Sequence, residues 1–138
     1  GDGSAIYASA YYDGMAIDDT TFNLAVMPVA DVTLPEAEAA LDRALADFLK
    51  EGIDPAQFER IRTRIRASEI YAQDNTEGLA RRYGEALASG FSIEDVQSWP
   101  DVLMSVTEED VMAAARAVFD KRHAVTGYLT RPELEAAQ

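Results

Sequence analysis

The sequence predicts an α+β fold: a small antiparallel sheet with helices packed on one face. Three observations lead there. Two β-patterned segments open the chain. A run of capped amphipathic helices follows, and a last β-patterned segment returns near the end. No internal repeat, low-complexity stretch or Pro/Gly/Ser-rich linker divides the chain, so 1–132 reads as a single domain and 133–138 as a polar tail.

The first segment, 4–12 (SAIYASAYY), alternates small and larger residues and reads as a strand. Asp13-Gly14 is a turn signal. The second segment, 20–28 (TTFNLAVMP), is β-branched and apolar and closes on a proline. Its period of two places Phe22, Leu24 and Val26 on one face and Thr21, Asn23 and Ala25 on the other. Helix one starts at Thr33. Thr33 and Glu36 have capping-box spacing, and Pro35 occupies the first turn, where its missing N–H costs nothing. Ala37, Leu41, Ala44, Leu45 and Phe48 form its apolar stripe, and Gly52 stands where a left-handed cap ends it. Helix two starts at Asp54, with Pro55 at the first helical position, Gln57 completing a second capping box, and Phe58, Ile61, Ile65 and Ala72 inward. Phe48 and Phe58 are expected to be buried where these two helices face the sheet. A third helical stretch, 77–88, carries Leu79, Tyr83 and Leu87, and Gly90 ends it. Ser92 opens a short helix with Ile93, Val96 and Trp99, interrupted by Pro100. Thr107 and Asp110 cap a last helix with Val111, Ala114, Ala115 and Val118 inward. The segment 122–130 (RHAVTGYLT) reads as a final strand. The order is β-β-α-α-α-α-β. Three strands are few for so many helices, which implies that further strands are missing or come from a partner.

Composition narrows the function. The 138 residues are 48% hydrophobic and 27% charged, as in ordinary globular chains. No apolar run approaches the ~20 residues of a membrane span. The opening GDGSAIYASAYYDG has neither the basic region nor the apolar core of a signal peptide; a cleaved signal and a start inside a longer protein both fit it. Without cysteine there is no disulfide, thiolate–zinc site, iron–sulfur cluster or thiol nucleophile. A net charge of −13 repels nucleic acid and anionic lipid.

The chemistry is equally restricted. Hydrolytic zinc needs about three protein ligands, commonly two histidines, with a carboxylate base nearby. The chain has one histidine, His123, so an H-x-x-E-H arrangement cannot form, and no G-x-S-x-G elbow or glycine-rich phosphate loop exists. His123 reads as an ordinary strand or surface histidine. The acidic clusters Asp18-Asp19, Glu108-Glu109-Asp110 and Glu133/Glu135 read as a solvated turn, a helix-capping turn and a tail. No catalytic, metal-binding or cofactor-binding residue is therefore assigned. One basic concentration stands out: Arg60, Arg62, Arg64 and Arg66, followed by Arg81 and Arg82, supply half of the 12 basic residues. They read as a solvated helix surface paired with Glu59 and Glu69, or alternatively as a docking patch for an acidic partner. Tyr7, Tyr11 and Tyr12 cluster in the first strand and read as core or sheet-face residues, with an interface role as the alternative.

The order of these pieces resembles the later two-thirds of one domain of the insulinase/pitrilysin-type zinc peptidases. AIYASAYYDG, DDTTFNLAVMP, TLPEAEAALDRALADFLKEGI and DPAQFERIRTRIRASEIYAQDNTEGLARRYGEALASG follow one another in the family's spacing, and VTEEDVMAAARAVF looks like its T-x-E-D-V-x-x-x-A-x-x-x-F signature. Such peptidases resemble a clamshell of two homologous halves, one carrying H-x-x-E-H and the other lacking it. The metal-free half contributes an arginine and a tyrosine near the substrate in a pattern like R-x-x-x-x-G-x-A-Y. In this chain Gly3, Ser4 and Ala5 match G-x-A, Ile6 stands where the tyrosine would be, and the arginine would fall before residue 1. The resemblance thus implies an incomplete domain from the metal-free half, without the domain's opening strand and helix. It supplies chamber wall and interface; zinc and peptide hydrolysis belong to a separate zinc-binding half or subunit, and peptide substrate is met only in the assembled chamber. Ile6, Tyr7 and Tyr11 would line substrate or interface. A bacterial periplasmic or secreted setting and self-association through an open sheet edge follow as expectations. A peptidase-like scaffold or protein-interaction domain without enzymatic function is the alternative; a third reading, an unrelated acidic α+β domain, is favoured if the final strand does not join the sheet of the first two.

Overall fold

The computed structural model of the protein describes residues 3–130; the expected tail at 133–138, with Glu133 and Glu135, lies outside the described residues. The class is α+β. β1 (Ala5–Tyr11) and β2 (Asn23–Pro28) form a two-stranded antiparallel sheet, followed by α1 (Leu34–Glu51), α2 (Pro55–Ala72), α3 (Thr76–Ala88), α4 (Ile93–Ser105) and α5 (Glu108–Val118), and a 3₁₀ turn, Lys121–His123.

The strand register follows the alternation. Tyr7 lies opposite Met27, Ala8 opposite Val26, Ser9 opposite Ala25, Ala10 opposite Leu24 and Tyr11 opposite Asn23, with an irregularity between Ala5 and Tyr7 at Ile6. Directly opposed residues share a face. Leu24, Val26 and Pro28 are half-buried on the side that meets α1, and Asn23, Ala25 and Met27 are exposed on the other. Phe22, just ahead of β2, extends the apolar side by meeting the Phe119 ring edge-on at 5.4 Å, with Tyr12 stacked beyond it.

The helix boundaries come from the capping chemistry. At α1 the Thr33 Oγ1 accepts from Glu36 N–H at 3.4 Å, and the Glu36 carboxylate accepts from Thr33 N–H at 2.9 Å. Ser92/Asp95 and Thr107/Asp110 repeat that box at α4 and α5. At α2, Asp54 accepts from Ala56 N–H at 2.9 Å, and no reciprocal bond from Gln57 completes the expected box. Gly52 ends α1 with φ +83° and ψ −164°: the positive φ that glycine supplies is there, in an extended rather than left-handed helical conformation.

Three expectations need correction. Five helices occur, one for each helical stretch read from the sequence, where the expected order has four, and α4, expected to be interrupted at Pro100, runs through it for 13 residues. Pro100 stands inside α4 without ending it, and α2 and α3 both pack against that helix. The final strand at 122–130 is not formed. Lys121–His123 is a 3₁₀ turn, and 124–130 runs on without a sheet partner. The alternation that suggested a strand survives as alternating anchorage. Thr126 and Tyr128 donate to the Glu38 carboxylate on α1, while Val125 and Leu129 are 98% and 95% exposed. Finally, α2 does not cover the sheet. α1 lies on β2 and α5 lies on α1, whereas α2 and α3 pack around α4. Phe48 and Phe58 are accordingly half-buried, in two different clusters.

Among the described residues the buried core is small: Ala37 on α1, Ala86 on α3, and Met112 and Ala115 on α5. Of the residues expected inward, Ala44, Ile61, Leu87, Ala114 and Val118 are exposed. The accessible surface of 11440 Å² compares with about 7,000 Å² for a compact monomer of this mass. Much apolar surface therefore stands uncovered.

Candidate functional site

The sheet is covered on one face only. α1 packs on β2 at the side of Leu24 and Val26, and among the described residues no helix packs closely on the side of Tyr7, Ser9 and Tyr11, where Ser9 itself is half-buried. There Tyr7, Tyr11 and Met27 remain 58%, 64% and 55% exposed. Ile6 is exposed as well, at the point where the strand pairing breaks. The candidate lining residues Ile6, Tyr7 and Tyr11 are thus grouped on β1. Met27 joins them; its signal was in the sequence, since it continues the Asn23–Ala25 side of the strand. Tyrosine presents apolar area with a polar tip and suits a surface that is partly wet and partly covered.

The arginine group is not one patch. Arg62 reaches from α2 to α4, donating to the Met104 carbonyl at 2.7 Å while its guanidinium lies 5.7 Å from the Phe58 ring centroid. A second nitrogen meets Glu59 at 3.4 Å. Arg82 on α3 pairs with Glu69 on α2 at 2.7 Å. Arg81 pairs with Glu77 along the exposed side of α3 at 3.4 Å. Arg60, Arg64 and Arg66 stay exposed on α2. The spacing of two puts Arg62 and Arg66 on one side of α2 and Arg60 and Arg64 on another, and the place where α4 passes makes Arg62 the tie. Arg62 and Arg82 tie the second cluster together, and only the other arginines are presented outward.

Two cavities flank these ties. One of about 350 Å³ lies between α2 and α4, bordered by Arg66, Ile70 and Met104. The other, of about 540 Å³, opens where Gly14 and Met15 approach α3 and α4; Phe91, Trp99 and Val102 make its apolar wall, and Arg82 and Glu69 its polar one. Met15 and Glu38, which holds 124–130, are contributors that the sequence pattern did not mark. Glu38 sits among other acids on a solvated helix turn and carries no pattern of its own.

Electrostatics at the surface follow hydrogen bonding. Glu36, Asp95 and Asp110 are held below the usual carboxylate range, chiefly by the hydroxyls of Thr33, Ser92 and Thr107. Glu38 is lowered first by Tyr128 and then by Thr126, and Tyr128 is raised in return. Lys121, which pairs with Asp42, is raised by that bond. His123 is a surface side chain in the 3₁₀ turn, its Nδ1 3.8 Å from an Asp120 oxygen. Among the described residues no three His, Cys, Asp or Glu side chains converge so as to hold a metal ion, and no helix is long and apolar enough to cross a membrane. The carboxylates of Glu108, Glu109 and Asp110 occupy the first turn of α5, where Asp110 serves the cap.

No protein-family model matches the chain, and no curated protein matches it.

Proposed function

We propose that this chain is a non-catalytic portion of an insulinase-like zinc metallopeptidase, forming chamber wall and interface while a separate zinc-binding half performs peptide hydrolysis. The observation that carries this reading is the one-sided sheet. Helices lie behind it and a bare, tyrosine-bearing face lies in front. A wall element has that construction: it is stiff on one side and presents a surface to an enclosed space on the other. The motif order supports the same reading. The sequence has one histidine, short of the ligand set of hydrolytic zinc, and in this reading the metal and its water belong to the partner half. Peptide would meet Tyr7 and Tyr11 only in the assembled chamber. A bacterial periplasmic or secreted location, and self-association of the isolated chain through its uncovered surface, belong to the same reading.

Zinc analysis and a fluorogenic-peptide assay test it, on the chain alone and mixed with the product of a neighbouring gene that carries H-x-x-E-H. The expected result is neither stoichiometric zinc nor cleavage by the chain alone, and chelator-sensitive cleavage in the mixture. Stoichiometric zinc with cleavage by the chain alone overturns the proposal. Stable association without cleavage favours the second reading, a peptidase-like scaffold, for which the same uncovered surface is the supporting observation.

A further inference from the structure

Among the described residues no strand pairs with the outer edge of β1. Edge strands in isolated proteins are commonly protected by a charged residue, a proline or a cover. β1 reads AIYASAY, with no charge and no proline, and bonds to β2 along one side only. The acidic excess of the chain bypasses it: Asp2 and Asp13 stand beyond its ends in the sequence. β2 is the poorer template, being shorter and ending in Pro28, which has no N–H to donate.

We propose that a second copy of this chain docks on that edge, its own β1 running antiparallel and centred on Ser9, so that two hairpins make one four-stranded sheet across a two-fold axis. This rests on the self-association part of the reading above and is independent of the peptidase assignment. The irregularity at Ile6 limits the regular ladder to 7–11, whose midpoint is Ser9. Centring there sets Tyr7 of each copy directly opposite Tyr11 of the other, on the bare face, as cross-strand aromatic pairs. The contact is isologous and closes on itself, so it ends at two copies rather than growing into a fibre. A stable interface needs roughly 800 Å² from each partner. Tyr7, Tyr11 and Ile6 are 58%, 64% and 68% exposed, and with the strand backbone they supply the apolar part of that area, each tyrosine giving a share of the about 150–250 Å² an aromatic side chain can bury. The net charge of −13 does not oppose it strongly, because charges more than ~8 Å away are screened at physiological salt.

Sedimentation equilibrium at micromolar concentration should give twice the 15.1 kDa chain mass. The variant Y7K/Y11K sets lysine opposite lysine and should weaken the dimer by roughly tenfold or more. Y7K/Y11E sets lysine opposite glutamate and should restore it. The helical circular-dichroism signal of each variant is compared with that of the parent chain. Independently of those variants, Ser9→Cys gives a chain without other thiols a single cysteine on the axis, where opposed Cα atoms are close enough for a disulfide. Mild oxidation should yield a covalent dimer. A monomer in the parent chain, a dimer indifferent to Y7K/Y11K, failure of Y7K/Y11E to rescue, or a Ser9→Cys chain that does not cross-link overturns the proposal. Loss of zinc-dependent cleavage in a mixture, with the dimer intact, would strike the peptidase reading alone.

Discussion

Arg82 Nη1 lies 2.7 Å from Glu69 Oε2, joining α3 to α2, and each side chain keeps only about a quarter of its surface, 25% and 24%. An ion pair this sheltered behaves differently from the exposed Arg81–Glu77 pair beside it. At the exposed pair, solvent and salt leave a contribution near zero. At the sheltered pair, removing the carboxylate strands a guanidinium next to Trp99 and Phe91 in the cavity wall. Glu69→Ala should therefore cost about 1–3 kcal/mol, and Glu77→Ala under about 0.5 kcal/mol. Urea titrations of the two variants check the contrast; equal losses would mean that the α2–α3 tie is not made by this pair.

Gly52 should resist substitution for a reason that has nothing to do with space. A Cβ there would meet nothing within 4 Å. Its φ of +83° with ψ −164°, however, lies in a region that is essentially glycine's alone. Gly52→Ala should destabilise by about 1–3 kcal/mol, or move the α1–α2 connection and lose the Gly52 N–H bond to the Phe48 carbonyl. Gly84, within α3 and also unobstructed, is the comparison: Gly84→Ala should be stabilising by about 0.5–1 kcal/mol.

The contrast between α1 and 122–130 shows what was legible in the sequence. The caps at Thr33, Ser92 and Thr107 are local signals, written in residues three apart, and the structure contains each of them. Strand formation is not local. RHAVTGYLT has the alternation of a strand, but a strand exists only where another offers a ladder, and here Glu38 takes the segment instead. The same limit explains the helix faces. The stripe on α1 was readable because it meets β2, whereas Ile61, Leu87 and Val118 have the right period and no partner to meet. At the candidate site, the placing of Tyr7 and Tyr11 on one side of β1 followed from period two. The division of the arginines into ties and free cations depended on where α4 passes, which no spacing encodes.

Acid should unfold the chain earlier than its core alone implies. Glu36, Asp95 and Asp110, with ordinary values of 4.5, 3.8 and 3.8, are all lowered in the folded chain by cap hydroxyls. A lowered carboxylate binds fewer protons folded than unfolded, so its stabilisation is present above the ordinary value and is lost as pH falls through the folded value. The urea midpoint should hold steady near neutrality and drop below about pH 4.5. A variant with Thr33→Val, Ser92→Ala and Thr107→Val should be less stable at pH 7 and show a shallower acid slope. An unchanged slope would mean that the caps are not the source. Tyr128 has the opposite sign: its phenol is raised above 10.0 by donating to Glu38, so that bond is present below the ordinary value and lost as pH climbs through the folded one.

The segment 124–130 should come loose when Glu38 is removed. After Ala124 donates to the Lys121 carbonyl, no backbone–backbone bond ties the remainder among the described residues. What holds it is Thr126 Oγ1 donating to Glu38 Oε1 at 2.8 Å, Tyr128 Oη donating to the other oxygen, and the Lys121–Asp42 pair just upstream. With Val125 and Leu129 turned outward, there is little apolar contact to replace those bonds. Glu38→Ala should therefore raise amide exchange and protease cleavage within 124–130 several-fold, at the end of the stability range where local opening occurs without global unfolding. α1 itself should persist, since its cap is Thr33 and Glu36 and its stripe is Ala37, Leu41 and Leu45. Glu38→Gln keeps an acceptor for one of the two hydroxyls and should fall between the parent and Glu38→Ala. Exchange at 124–130 that is equally fast in all three chains would show that Glu38 does not anchor the segment in solution.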